Sequence, residues 1–561
     1  MLFKRSLDQP GAVRGRGWVK YAVLSAAVAL AGGSYFVMKG GNAAKTEEKK
    51  PDDKVFELAA GDIAVMAPQN LGLSIPVSGS VRPVTQAMVK SKVSGEISQL
   101  HVREGEIPRG LEGVLFRNGP GRQSVFGVPY KHPFDGDGMI LRFSFEGGKV
   151  RYRNRFVRTR AFEEEERAGK MLYRSFGTNL PGGLRKNLLR TTFKNAANTS
   201  VILHGGRLLA LWEGGIPHAL DPETLRTLGP HDFDGRLRNR LSWLDAKMTP
   251  HLPFSAHPKR CPETGDLYGF GTAYGRKNHL VLYRVDPRGR MDEPELVELP
   301  KLTFLHDFVL TKRYRVVFDV PAKFDVARTL LGFVPPVDAI DFDEGDTIVR
   351  LFPKARGERS LTFTLPSAFV FHFVNAFERD DGTVIVEGIR TGSFPKVPGP
   401  DVLASGEPFY PAPVLTRFEL DPRTGKATQE TVSRTPCELP TIDPREVSRP
   451  HTQVFAMAGP ALAEGDTLVA PFFSRIVRFD RSSGRETVRD LDHALVGEPV
   501  YVPGRGDGEG VVLTVVFEGA REKSALYVLA AKTLETRAIC DLPHGLPAGF
   551  HGTWVPAAGD A

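Results

Sequence analysis

The chain has 561 residues, 41% of them hydrophobic, enough for one large core or several smaller ones. Its net charge of +8 could serve nucleic acid, but 74 Lys and Arg are scattered among 66 acidic residues and form no stripe, which argues against that class. Cys261, Cys437 and Cys540 are odd in number and far apart, so neither a disulfide framework nor a thiolate zinc site is indicated.

In chain order, Lys4, Arg5, Arg14, Arg16 and Lys20 precede Tyr21 to Met38, an uncharged apolar stretch of 18 residues at the lower limit for a spanning helix. We read it as an uncleaved single-pass anchor in the inner membrane. A cleaved signal peptide ending near Ala29-Leu30-Ala31 is the competing reading. Lysines 39, 45, 49, 50 and 54 follow and blunt the positive-inside contrast, so the side on which the rest lies stays open. Residues 1–56 are therefore expected to be anchor and charged linker.

Residues 57–105 hold short strand-like runs: Ser74 to Pro83, Ala87 to Val89, Val93 to Ile97 and Leu100 to Gly105. With the anchor they resemble the start of the periplasmic adaptor subunits of tripartite efflux pumps, where an anchor leads into a lipoyl-like β module. Only its first half is present. Such a partial β segment would leave an edge exposed or borrowed.

Beyond it, 58 Gly and 43 Pro punctuate short Val, Leu, Phe and Tyr runs, the texture of an all-β protein. Turns recur at Asp221-Pro222-Glu223-Thr224, Asp286-Pro287-Arg288-Gly289, Asp421-Pro422-Arg423-Thr424-Gly425 and Asp480-Arg481-Ser482-Ser483-Gly484, separated by 65, 135 and 59 residues. The middle gap is about two periods. Roughly seven units fill residues 106–561, which predicts a seven-bladed β-propeller, with a β-sandwich rich in Asp turns as the alternative. Four histidines lie in apolar or tightly turned settings: His257 after Phe254-Ser255-Ala256, His306 in Phe304-Leu305-His306-Asp307-Phe308, His372 in Phe371-His372-Phe373, and His551 in Phe550-His551-Gly552. Each alone reads as a hydrogen-bonded core residue; four together, without cysteines, point to a histidine-only metal centre. A propeller brings its inner strands to one axis, where such distant residues can meet.

From about Gly105 to Pro556 the chain resembles the carotenoid cleavage oxygenases. The resemblance rests on Gly105-Glu106-Ile107-Pro108, Phe116-Arg117-Asn118-Gly119-Pro120, His132-Pro133-Phe134-Asp135-Gly136-Asp137-Gly138-Met139, Asn154-Arg155-Phe156-Val157-Arg158-Thr159 and the histidine segments. It implies a seven-bladed propeller holding Fe(II) through His257, His306, His372 and His551. It further implies that Glu213, Glu438 and Glu498 serve His306, His372 and His551, that His257 goes without, and that the Thr199 methyl crowds one open iron position. Leu180 to Leu189 and Leu330 to Pro336 resemble the family's apolar patch at a tunnel mouth, expected to meet a membrane surface. The implied reaction joins dioxygen to a conjugated double bond of an apolar polyene, a carotenoid or apocarotenoid, giving two carbonyl products. A stilbene-cleaving enzyme on the same scaffold and a non-enzymatic adaptor fusion are the alternatives. Phe254, Phe304, Phe371 and Phe550 are expected to line the tunnel, His132 to be structural or superficial, and the other histidines to carry no chemistry.

Overall fold

The computed structural model describes residues 95–557, apart from 98, 191, 276, 301–303, 343–344, 395–409, 461–466, 469–472 and 506–507. The expected anchor, the linker and the adaptor-like runs before residue 95 lie outside the described residues. Among the described residues, no helix is long and apolar enough to cross a membrane.

Seven antiparallel sheets of four or more strands follow one another along the chain. Taken as blades one to seven, they begin at Gly113, Ser200, Lys259, Val309, Phe369, Cys437 and Ala494. Within a blade, burial falls from the middle strands outward. In blade five, Val384–Thr391 is buried on both faces, whereas Lys426–Thr431 at the outer edge is mostly exposed. That pattern follows from stacking: a middle strand is covered by both neighbouring blades and so must be apolar on both sides. Between blades four and five, Val316, Phe318, Val349 and Leu351 meet Phe373, Val386, Phe418 and Leu420 in one cluster. Each such side chain contributes about 1.5–3 kcal/mol on burial.

The Asp turns are the hairpins leading to the outermost strand in blades two, three, five and six. The aspartate accepts amides across the turn, as Asp421 does from Arg423 at 2.9 Å and Asp480 from Ser482 and Ser483 at 3.0 Å. Gly289, Gly425 and Gly484 supply the left-handed residue, with φ of 83°, 71° and 68°. In blade seven Leu534 takes that position at φ 58°, so this hairpin leaves no glycine or aspartate for a sequence pattern to detect.

Both ends of the described chain close the ring. Gly552–Pro556 is the edge strand beside Gly113–Arg117 in blade one. His101–Gly105 pairs with Thr536–Asp541 in blade seven, and Gly95–Ile97 pairs with Lys149–Phe156 in blade one. The last two runs that the sequence places in the adaptor-like segment are thus blade strands. They complete edges whose backbone groups would otherwise be unpaired.

Candidate metal centre

Each ligand candidate stands on, or just before, the first strand at one edge of its blade: His257 before Lys259–Arg260, His306 before Val309–Leu310, His372 within Phe369–Glu378, His551 before Gly552–Pro556. These edges converge. The Nε2 atoms of His257 and His306 are 3.0 Å apart, those of His306 and His372 3.3 Å. His551 joins them, its ring centroid 4.5 Å from His257 and 4.9 Å from His372.

The remaining blades supply carboxylates. Glu213 of blade two accepts from His306 Nδ1 at 2.6 Å, Glu438 of blade six from His372 Nδ1 at 2.6 Å, and Glu498 of blade seven from His551 Nδ1 at 2.8 Å. His257 has no carboxylate partner among the described residues. Thr199 lies against His551, whose amide donates to the Thr199 carbonyl at 3.2 Å, and it lines the same cavity. The structure therefore brings all eight expected site residues together.

The donor chemistry fits a cation. A carboxylate on Nδ1 places the proton there and leaves the Nε2 lone pair facing inward. At His306 and His372 two such lone pairs stand 3.3 Å apart, an arrangement that a bound metal ion satisfies. Burial first, then neighbouring imidazoles, hold His257 and His372 well below the ordinary histidine value, so both are neutral and able to ligate. Imidazole nitrogens with no thiolate suit iron, copper, nickel or zinc.

Two supporting ion pairs lie outside the sequence expectations. Arg117, fully buried, donates to the Glu498 carboxylate at 2.8 Å and to the Phe550 carbonyl at 2.8 Å, while the Gly552 amide donates to the same carboxylate at 2.8 Å. Although burial alone would raise it, the neighbouring His551 and Arg117 hold Glu498 below the usual carboxylate value. Asp307 accepts from the Phe373 amide at 2.9 Å and pairs with Lys259 at 2.8 Å, joining the segments that carry His257, His306 and His372. Arg117 belongs to a quoted motif, and Asp307 adjoins a histidine; nothing local in the sequence reveals their partners.

A cavity of about 1230 Å³ opens from the histidines, lined near them by Phe134, Trp212, Phe304, Phe371, Leu439 and Phe550. Phe254 departs from expectation. It is fully buried against Phe233 and Tyr283, at ring distances of 5.4 and 5.3 Å. It stands three positions before His257, so in extended chain the two side chains leave on opposite faces. Of the two roles expected for His132 the structure shows the structural one: it is buried and its Nδ1 accepts the Phe134 amide at 3.2 Å, and it also lines the cavity.

The apolar segments meet at the surface, where the Leu189 amide donates to the Leu330 carbonyl at 2.7 Å. Leu184, Leu188, Leu189, Leu331 and Phe333 are exposed there.

A family model described as retinal pigment epithelial membrane protein matches residues 87–556. The apocarotenoid-15,15'-oxygenase of Synechocystis sp. is 34% identical over 469 residues, covering 81% of this chain and 92% of its own length. Isoeugenol monooxygenase of Pseudomonas nitroreducens is 30% identical, covering 84% and 97%. Resveratrol cleavage oxygenase 1 of Aspergillus fumigatus is 29% identical, covering 84% and 95%. Among solved structures, cobalt-substituted Synechocystis apocarotenoid oxygenase aligns with a TM-score of 0.76 at 31% identity, over 84% of this chain and 97% of that one.

Proposed function

The chain belongs to the retinal pigment epithelial membrane protein family, that of the carotenoid cleavage oxygenases, and on this premise we propose that it is an Fe(II) dioxygenase cleaving one conjugated double bond of an apocarotenoid into two carbonyl products. The observation that carries this reading is the apolar, aromatic cavity that ends at His306, His372 and His551, with His257 against them. Iron held there would bind and activate dioxygen.

The protein's own part is positioning. Phe134, Phe304, Phe371 and Phe550 offer apolar surface to a rigid polyene, worth about 25 cal/mol per Å² buried, and exclude water from the reacting bond. Glu213, Glu438 and Glu498 keep three imidazoles in the ligating tautomer and orientation. The Thr199 methyl narrows access to one side of the centre. Both oxygen atoms end in product, so the reaction needs no added reductant.

The exposed leucines and Phe333 would touch a membrane surface, from which an apolar substrate can enter the cavity. Residues 1–56 as an inner-membrane anchor and the adaptor-like text after them agree with that placement and belong to the same proposal.

Purified protein with ferrous ion and dioxygen, offered an apocarotenal, resveratrol and isoeugenol separately, tests the assignment by product chromatography. Two carbonyl fragments from the apocarotenal without any reductase are expected. Cleavage confined to resveratrol or isoeugenol would move the substrate class to phenolic alkenes, and a stoichiometric need for NADH and a reductase would overturn the dioxygenase reading.

A further inference from the structure

Behind one wall of the cavity lies a second cleft of about 1500 Å³, sharing Arg160, Thr192, Phe193 and His251 with it. Five arginines line this cleft, Arg155, Arg158, Arg160, Arg190 and Arg226, against a single carboxylate, that of Glu163. Arg158 pairs with Glu163 at 3.1 Å and Arg160 with Glu164 at 2.7 Å. The guanidinium groups of Arg155, Arg190 and Arg226 make no hydrogen bond or close ion pair among the described residues, although Arg226 lies near enough to Asp221 to help the Thr224 hydrogen bonds lower its carboxyl pKa.

Two further features border the same space. The helix Arg160–Ala168 begins there, capped by Thr159, and its first amides have no acceptor within the helix. His218, buried in the wall, has an Nδ1 with no hydrogen-bond partner. Apolar residues make up much of the remaining lining, including Phe162, Leu172, Ile216 and Leu225, beside the polar Thr192, Asn195 and Thr227, and exposed Leu189 and Leu228 also border the cleft.

We propose that this cleft binds an anionic amphiphile through its phosphate headgroup. Three unpaired guanidinium forks exceed what one carboxylate ligand would balance and match a phosphate, which offers more acceptor oxygens. The apolar lining gives the attached acyl part a place that a free phosphate would leave bare. The cleft shares Leu189 with the surface patch, but the proposal rests on the arginines and His218 and stands whether or not the cavity takes an apocarotenoid.

Isothermal titration of the full-length protein with three soluble probes provides the test: dihexanoyl phosphatidic acid, dihexanoyl phosphatidylcholine and inorganic phosphate. The phosphatidic acid is expected to bind at least about 10-fold more tightly than either of the others. The double variant Arg155→Gln, Arg226→Gln should lose most of that affinity, and Arg155→Lys, Arg226→Lys should recover part of it. Both arginines are exposed, so an unchanged thermal midpoint shows that the variants remain folded. Equal binding of phosphatidylcholine would remove the anion selectivity, equal binding of inorganic phosphate would remove the amphiphile, and unchanged affinity in the glutamine variant would remove the cleft.

Discussion

Two buried glutamate–histidine pairs both join blades five and six and differ in what surrounds them. Glu387 contacts His451 at 3.0 Å and also Arg417 at 2.8 Å and Arg481 at 2.6 Å. Burial would raise its pKa, but the imidazole hydrogen bond and the arginine charges outweigh that and pull it down to about 2. Glu438 contacts His372 at 2.6 Å, yet no lysine or arginine reaches it among the described residues, and its Oε1 has no partner at all. Burial, opposed mainly by the Leu439 amide, pushes it up to about 8. The first pair carries its own compensating cations and stabilises the fold. The second lacks positive charge, and a dication behind His372 would supply it.

The largest separation of the two should come from the histidines. His372→Ala is expected to abolish metal retention and bond cleavage, as measured by atomic emission and product assay, while His451→Ala keeps the metal and loses about 1–3 kcal/mol of stability in urea unfolding. Stoichiometric metal with normal turnover in His372→Ala would place the centre elsewhere.

The glutamates should divide in the same direction. Glu387→Gln removes the charge that two arginines face and should cost about 3–5 kcal/mol, with metal content unchanged. Glu438→Gln should lower metal affinity about 10- to 100-fold and leave the metal-free protein about as stable as the parent near neutral pH, since a carboxyl pushed up to about 8 is already mostly neutral there. Equal destabilisation of both metal-free variants would erase the distinction.

Acid titration sharpens it further. The folded pKa of Glu387 is depressed from 4.5 to about 2, so its contribution is present above the unfolded value and lost as pH falls towards the folded one. The parent should therefore lose about 2 kcal/mol more than Glu387→Gln between pH 5 and pH 2.5, read from urea midpoints at each pH. Parallel curves would show that Glu387 titrates normally.

The smallest effect is expected from a single arginine. Arg481→Gln leaves Arg417 and His451 in place and should cost about 1–2 kcal/mol without moving metal affinity. A loss as large as that of Glu387→Gln would mean that Arg481 alone compensates the carboxylate.

Much of this was legible in the sequence where the signal was local. An Asx turn needs an aspartate at its start, so four blade hairpins could be read directly, three of them with a glycine at the left-handed position and one with Leu225 there, whereas the one built on Leu534 has no aspartate and could not. The histidine segments stood out because an imidazole in an aromatic run is chemically conspicuous, and the family motifs named the glutamates that meet them. Local sequence could not distinguish Glu387 from Glu438, each being a carboxylate in a buried strand. Their difference comes from residues 30, 64 and 94 positions from Glu387, delivered by other strands and turns. The same holds for Arg117 on Glu498, 381 residues away, and for the strand at residues 101–105 that closes blade seven against residues 536–541. Composition, turns and motifs determined the propeller and the cast of the centre. Charge compensation, the face on which Phe254 lies and the closing of the ring were decided only by tertiary packing, because each depends on which distant atoms occupy the few ångströms around a buried group.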